Sequence, residues 1–393
     1  MEYVLLSEVA SYSKLRTKEI ELNSYISTEN MLPNKMGVTL ASSIPAATSA
    51  SKYEVGDILL SNIRPYFCKI WQADKIGSCS GDVLVVRAND SIDSKFLYYV
   101  LSDPNFFNYD TITSKGTKMP RGNKRAIMKY LVPHVSMDVQ HRIASILSTY
   151  DTLIENNTKR IRLLEKMAEN LYKEWFVRFR FPGHENVEME NGLPKGWKIS
   201  RLKDFGKIET GKTPSTKNSE FYGGKILFIK TPDMHDGFFV SSTEETLSDL
   251  GGKSQEKKLL PPNSIMVSCI GTGGVVAINS KLAHTNQQIN SIILSNLSDL
   301  EWLFMLCKGL KPTIELFGAT GATMTNLSKG KFEKLKVIEP PKSVRYQFHD
   351  KIQSAFKLMQ ELDKQNSLLA RQRDLLLPRL MSGKLEVKEE LLE

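Results

Sequence analysis

The chain repeats itself once, and the repeat constrains everything else. A basic loop, a short apolar run, a Pro, a Gln and a long amphipathic segment follow one another before residue 180 and again before residue 385. In the first copy Gly116, Met119 and Asn123 lead into Tyr130-Leu131-Val132-Pro133, then Gln140 and a segment ending near Trp175-Phe176. In the second, Gly321, Met324 and Asn326-Leu327-Ser328 lead into Leu335-Lys336-Val337 and Pro340-Pro341, then Gln347 and a segment ending near Leu380. The copies run in step at a separation of roughly 205 to 209 residues. A monomer built this way is expected to have approximate two-fold symmetry and to offer two similar surfaces to one long ligand.

Both long segments predict helices with an apolar seam. From Ile143 the positions Leu147, Tyr150, Ile154, Asn157, Ile161, Leu164, Ala168, Leu171 and Trp175 step alternately by four and three, which is heptad spacing. The second seam is Phe348, Ile352, Ala355, Met359, Leu362, Asn366, Leu369, Arg373, Leu376 and Leu380. Each stripe carries one Asn, costly to bury but effective in fixing register. A helix of about 37 residues is ~55 Å long, against ~30 Å for a small domain. The seams are therefore expected to pack on each other as a spacer. The alternative is that each helix covers only its own domain.

Residues 181–192 punctuate the chain with Phe181-Pro182-Gly183 and Asn191-Gly192 and read as a linker. The expected organisation is a first domain over 1–137, a helix over 138–180, the linker, a second domain over 193–343, a second helix over 344–387 and a tail over 388–393. Short β-type runs, such as Asp82-Val83-Leu84-Val85-Val86, Ile226-Leu227-Phe228-Ile229 and Ser264-Ile265-Met266-Val267, are separated by Gly, Pro, Asn and Ser. Regular βαβ alternation is missing, so the class is α+β: two mixed α/β domains, each followed by a long helix.

Several chemistries are disfavoured. Cys68, Cys79, Cys269 and Cys307 form no CxxC pair and the six His do not cluster with them, which speaks against a zinc site or a disulfide framework and for a reducing cytoplasm. The opening MEYVLLSEVA lacks signal-peptide character, and no apolar run of about 18 residues suggests a membrane span. Gly206-Lys207-Ile208-Glu209-Thr210-Gly211-Lys212-Thr213 matches the phosphate-loop pattern letter for letter. Pro214 and a polar run follow it, where a phosphate loop must open a helix. Asp103-Pro104-Asn105-Phe106 resembles an amino-methyltransferase tetrapeptide but lacks its second Pro, and reads as a corner after a helix. No catalytic or metal-binding constellation stands out.

Recognition chemistry remains. Lys plus Arg exceed Asp plus Glu by 53 to 44, a lean toward a polyanion. From Thr111 to Tyr130 there are six cations, Lys115, Lys118, Arg121, Lys124, Arg125 and Lys129, and no acid. Such a loop suits phosphate contact; its alternative is a solvated basic loop. The counterpart carries Lys329, Lys331, Lys334 and Lys336 beside Thr323, Thr325, Asn326 and Ser328. Base reading uses Arg or Lys on guanine and Asn or Gln on adenine. Candidates are Arg64, Tyr66 and Lys69 in the first domain, and Lys212, Thr213, Lys230, Gln287, Gln288 and Asn290 in the second.

Three stretches carry a family resemblance. They are Leu171-Tyr172-Lys173-Glu174-Trp175-Phe176-Val177-Arg178-Phe179, the opening Leu193-Pro194-x-Gly196-Trp197 with Leu202 and Gly211-x-Thr213-Pro214, and Arg373-x-Leu375-Leu376-Leu377-Pro378-Arg379-Leu380-Met381-Ser382-Gly383-Lys384-Leu385. Together they resemble the DNA-specificity subunit of type I restriction-modification systems, across essentially the whole chain. The first domain departs from the pattern, beginning Tyr3-Val4-Leu5-Leu6-Ser7-Glu8-Val9 without the Trp and Gly-x-Thr-Pro elements.

The resemblance implies a non-catalytic subunit whose two target-recognition domains each read half of a split site in double-stranded DNA. It implies helices packed as an antiparallel coiled coil, with packing residues Ile143, Leu147, Ile154, Asn157, Ile161, Leu164 and Leu171 against Ile352, Met359, Leu362, Asn366, Leu369, Leu376 and Leu380. Implied partners are two methyltransferase subunits that carry S-adenosylmethionine and methylate adenine N6, and restriction/translocase subunits that use ATP and Mg. No cofactor is expected on this chain. Open alternatives are a specificity chain of a related fused methyltransferase-nuclease system, an enzyme acting alone, and a structural adaptor.

Overall fold

A computed structural model describes residues 2–235, 237–319 and 325–387. The chain divides into two compact units, Met1–Ile154 with Leu368–Glu393, and Glu155–Ser367. The long helices are Met137–Tyr172 and Lys342–Met381. Neither belongs to one unit: unit 1 joins two stretches far apart in sequence, and unit 2 is one continuous stretch that takes a part of each helix.

The duplication reappears as topology. In unit 1 a four-stranded antiparallel sheet has the order Ala10–Tyr12, Val83–Ala88, Ile58–Ser61, Ile70–Gln72. Unit 2 repeats it with Gly206–Thr210, Ile289–Leu294, Ile265–Ser268 and Val276–Asn279, and adds Phe239–Val240 in parallel at one edge. Central strands such as Ile58–Ser61 and Ile265–Ser268 are buried at every position, so they read as continuous apolar runs rather than alternating ones. Two consecutive helices follow in each unit, Ser94–Ser102 and Pro104–Thr113, then Leu300–Gly309 and Lys311–Gly318. The Asp103 corner is built as expected: its carboxylate accepts from Asn105 N at 2.8 Å and Pro104 opens the next helix. A small antiparallel pair closes each domain, Glu2–Leu5 on Leu131–His134 and Lys198–Arg201 on Lys336–Glu339.

The repeated Gln does different work in the two copies. Gln140 is buried, its Oε1 accepting from Asp93 N at 2.8 Å and its Nε2 donating to the Val135 carbonyl at 2.9 Å. Gln347 is exposed. Its role passes to Arg345, which pairs with Asp299 at 2.7 Å, the residue matching Asp93, and with Glu339 at 3.1 Å.

The seam residues are covered, and several lie inside domain cores. In unit 1, Ile143, Leu147 and Leu380 pack with Phe96, Leu97, Leu101 and Phe106, with Leu376 half-buried beside them; Ile154 and Leu369 are half-buried. Arg373 reaches Asp151 at 2.5 Å, and Asp151 also accepts from the Tyr99 hydroxyl at 2.6 Å. In unit 2, Ile352, Met359 and Leu362 are buried, and Ile161, Leu164 and Leu171 are half-buried against the same core. The two Asn positions meet the opposite helix: Asn157 donates to Gln365 Oε1 at 3.4 Å and Asn366 donates to Thr158 Oγ1 at 3.2 Å. With Phe348 stacked edgewise on Trp175 and Phe176, these pairs run antiparallel within unit 2.

The stretch read as a linker is packed. Met189–Glu190 and Leu193–Pro194 form a hairpin through Asn191-Gly192, both with positive φ, the geometry of a primed turn. Phe181 is buried against Trp197, and Phe176 and Phe179 complete the aromatic cluster.

Two buried ionisable groups give the units opposite pH responses. His284 is buried in a strand of unit 2 with neither ring nitrogen partnered, and burial pushes its pKa down to about 4. Unfolding lets it take a proton, so stability present above its unfolded value near 6.5 is lost as pH falls toward 4. Asp110 in unit 1 is fully buried with both oxygens unpartnered, and burial raises it to about 7. Here the folded state holds the proton, so stability falls as pH rises from near 3.8 through 7. Thermal midpoints measured by circular dichroism across this range should fall less in acid for His284→Gln and less in alkali for Asp110→Asn than for the wild type.

Candidate nucleic-acid interface

In unit 1 the basic loop is a hairpin fastened to a strand end. Lys115 and Arg121 exchange backbone hydrogen bonds at 2.8 and 2.9 Å, which leaves Lys118 at an exposed turn. The segment after strand Ile58–Ser61 holds this hairpin, because Arg64 N donates to the Pro120 carbonyl at 2.8 Å and Gly122 N to the Asn62 carbonyl at 3.0 Å. Arg121 pairs with Asp82 at 3.2 Å. Lys124 and Arg125 stand on the one-turn helix Lys124–Ile127, capped by the Asn123 side chain. Lys115, Lys118, Arg121, Lys124 and Arg125 are all exposed. Arg64 and the exposed Tyr66 join the same region.

Lys69 is drawn inward. Its amine donates to the Thr28 carbonyl at 2.6 Å, and burial lowers its pKa. It ties two loops together and is less available to a ligand than its sequence position suggested. Phe67, passed over in the sequence, is 38% exposed beside Tyr66, with Arg64 and Lys69 cations 6.0 and 5.8 Å from its ring centre. The run Arg64-Pro65-Tyr66-Phe67 was the signal: two aromatics among cations outside any apolar periodicity.

In unit 2 the candidates converge through backbone contacts. Strand Gly206–Thr210 ends at Gly211, where a Cβ would lie 2.2 Å from Thr285 and Asn286 oxygens, so only glycine fits. No helix opens there, and the phosphate-loop pattern is a strand and turn. Lys212 N donates to the Thr285 carbonyl at 2.9 Å, and the Thr213 hydroxyl donates to Gln287 Oε1 at 2.8 Å. Asn286 N donates to the Ile229 carbonyl at 3.2 Å, which brings Lys230 alongside. Gln288 accepts from Asn286 Nδ2 at 3.2 Å and Thr231 Oγ1 at 3.4 Å. Its carbonyl receives Cys269 N at 2.7 Å; Leu327 N bonds the Cys269 carbonyl at 2.9 Å, and Asn326 pairs with Ile270. Lys329 and Lys331 follow, exposed, on the helix Lys329–Glu333.

Some candidates are corrected. Asn290 is 2% exposed in strand Ile289–Leu294, accepting from the Thr210 hydroxyl at 2.6 Å; it satisfies a buried sheet and offers nothing to a ligand. The Lys230 amine is held by Glu245 at 2.5 Å over the Phe228 ring, so its charge is largely matched. Thr323, with Gly321 and Met324, lies outside the described residues. Among the described residues no cluster of three or more His, Cys, Asp or Glu could hold a metal ion, and no helix is long and apolar enough to cross a membrane.

Residues 6–166 and 194–376 match the model of the type I restriction modification DNA specificity domain, once in each copy. The chain belongs to that family. It is a type I restriction-modification specificity subunit, a component that acts without catalysis of its own. It is 31% identical to the HindI specificity subunit of Haemophilus influenzae, over 94% of this chain and 96% of that one. It is 29% identical to the MjaIX specificity subunit of Methanocaldococcus jannaschii, over 76% and 71% of the respective chains. In fold it resembles the crystal structure of a type I S subunit from M. genitalium, with a TM-score of 0.57 at 16% identity, covering 98% of this chain and 96% of that one.

The geometry sets two kinds of candidate residue apart, exposed cations and side chains held in place by a neighbour. Lys118 is an unencumbered exposed cation; Lys118→Ala should weaken binding of all DNA sequences about equally and reduce the dependence of log K on log salt by ~1. Gln287 is an amide oriented by Thr213; Gln287→Ala should instead cost ~1–3 kcal/mol at one base position and relax specificity there. Binding titrations at several salt concentrations, with a randomised target pool, distinguish the two outcomes.

Proposed function

We propose that this specificity subunit reads a bipartite DNA target, one half through each unit, and directs adenine-N6 methylation and ATP-dependent cleavage by partner subunits. The observation that carries the reading is the duplicated frame. Each unit repeats one sheet order, one helix pair and one cationic segment leading into a long helix. A split target asks for two such readers joined by a spacer. In this proposal the two long helices form the antiparallel coiled-coil spacer, and their heptad count sets the number of unread bases.

Two methyltransferase subunits bring S-adenosylmethionine and flip the target adenine out of the duplex. Restriction/translocase subunits bring ATP and Mg, and this chain holds no cofactor. The complex works on double-stranded DNA in the cytoplasm. A shallow apolar groove in unit 2, about 590 Å³ and lined by Leu163, Lys166, Met167, Glu174, Lys351 and Ile352, supports docking of a methyltransferase on the helices. Leu163 and Met167, 68% and 46% exposed, both line it, and adjoining exposed apolar side chains of this kind mark a docking surface.

Co-expression with the methyltransferase encoded beside the gene, followed by genome-wide mapping of N6-methyladenine, is expected to give one split motif methylated on both strands and lost without this chain. A complex that assembles and binds S-adenosylmethionine yet adds no methylation would defeat the reading. Removing one heptad from each long helix is expected to shorten the gap in that motif or to abolish assembly; an unchanged gap in an assembled complex would defeat the spacer role.

A further inference from the structure

The two copies diverge most sharply at one corresponding connection. In unit 2 the strand Ile265–Ser268 is followed by Cys269-Ile270-Gly271-Thr272-Gly273-Gly274; in unit 1 the strand Ile58–Ser61 is followed by Asn62-Ile63-Arg64-Pro65-Tyr66-Phe67. The frame around them is the same. Ile63 bridges Arg121 as Ile270 pairs with Asn326, and Arg64 and Gly271 occupy the same left-handed backbone position, at φ 51° and 78°. Glycine takes this conformation freely, whereas arginine does so only when its surroundings enforce it.

The enforcement is visible. Pro65–Phe67 forms a 3-10 turn bracketed by Arg64 and Cys68, both left-handed, with Pro65 buried. A second loop is zipped to it, Asn34 N donating to the Phe67 carbonyl at 2.8 Å and Lys35 N to the Cys68 carbonyl at 2.9 Å. Asn34 and Lys35 are left-handed as well. Four disfavoured conformations are thus concentrated in two paired loops. Their result is to hold two rings outward, Tyr66 and Phe67, 49% and 38% exposed with centroids 4.8 Å apart. Exposed rings in a strained turn contribute little to the core. They stand beside the cationic hairpin through the Arg64 N to Pro120 bond, where a polyanion would be held.

We propose that Tyr66 and Phe67 form a wedge that enters the base stack of the DNA bound to unit 1, so that this half-site is read partly by how easily one step unstacks. Apolar side chains inserted at a step unstack and kink the duplex, and pyrimidine–purine steps yield most easily. Unit 2 has glycines at the corresponding place and reads its half without such a wedge. The inference rests on the DNA-targeting reading above and deepens it.

The test uses the specificity subunit assembled with its methyltransferase, on duplexes carrying the mapped target. 2-Aminopurine and pyrrolocytosine replace adenine and cytosine one position at a time in both half-sites. Brightening at the methylated adenine is the assembly control. The expected result is brightening at one further step, in the half-site of unit 1 only, kept in Phe67→Trp and lost in Tyr66→Ala/Phe67→Ala at complex concentrations where fluorescence anisotropy shows the duplex saturated. A wild-type complex with no second brightened step, or with one in each half-site, overturns the wedge whether or not any variant folds. So does a double variant that keeps the step. Absence of any methylated motif would instead overturn the targeting reading, so the two failures are distinguishable.

Discussion

The structure depends on one constraint: the apolar stripes of the two long helices must be covered, and the domains help to cover them. In unit 1, Ile143 and Leu147 from the first helix and Leu377 and Leu380 from the second enter one core with Phe96 and Phe106. In unit 2, Trp175 and Phe176 from the π turn Lys173–Val177 that follows the first helix meet Phe348, Ile352, Phe356 and Met359 from the second around Trp302. Removing either helix would therefore expose apolar surface in both units. The polar interruptions are partnered across the helices, Asn157 by the Gln365 amide and Asn366 by the Thr158 hydroxyl. Because polar pairs of this sort tolerate few alternatives, they fix which residues meet, where a purely apolar stripe could slide by a turn.

A frame determined this way leaves the loops at the strand ends free to differ. The four-stranded sheet, the two helices after it and the small closing strand pair recur in both units, yet the connection after the central strand is aromatic and strained in one and glycine-rich in the other. The tie from the first turn of the long helix to the start of the short helix pair is also made differently, by Gln140 to Asp93 in unit 1 and by Arg345 to Asp299 in unit 2. For a specificity subunit this division has a use. The cores hold the spacing of the loops, and loop residues such as Gln287 and Tyr66 can vary without repacking the sheets that carry them.

Electrostatics follow the same division. The basic hairpin of unit 1 keeps most of its cations exposed, where their field reaches about a Debye length into solvent and is screened by salt. The cations that matter to the fold are neutralised at short range instead: Arg345 by Asp299 and Glu339, Arg373 by Asp151. Sequence composition counts all of these alike. Only burial tells a stabilising pair from a recognition group.

The sequence by itself determined the duplication, the two long helices and their seams, the strands around Val83, Ile226 and Ile265, and the absence of a phosphate loop at Gly206–Thr213. These follow from local rules: heptad spacing, apolar runs between turn residues, and a proline where a helix would have to begin. The tertiary structure alone decided what each polar side chain does. Asn290 and Gln287 sit three residues apart and look equally suited to read a base, yet one is sealed in a sheet by Thr210 and the other is presented by Thr213. Lys69 and Lys118 carry the same charge, yet one is tied to Thr28. The linker around Phe181 looked loose because its glycines and prolines are local signals, while the Trp197 ring that packs it is supplied by the fold. Periodicity is written along the chain, but burial and hydrogen-bond partnership depend on residues brought from elsewhere in it.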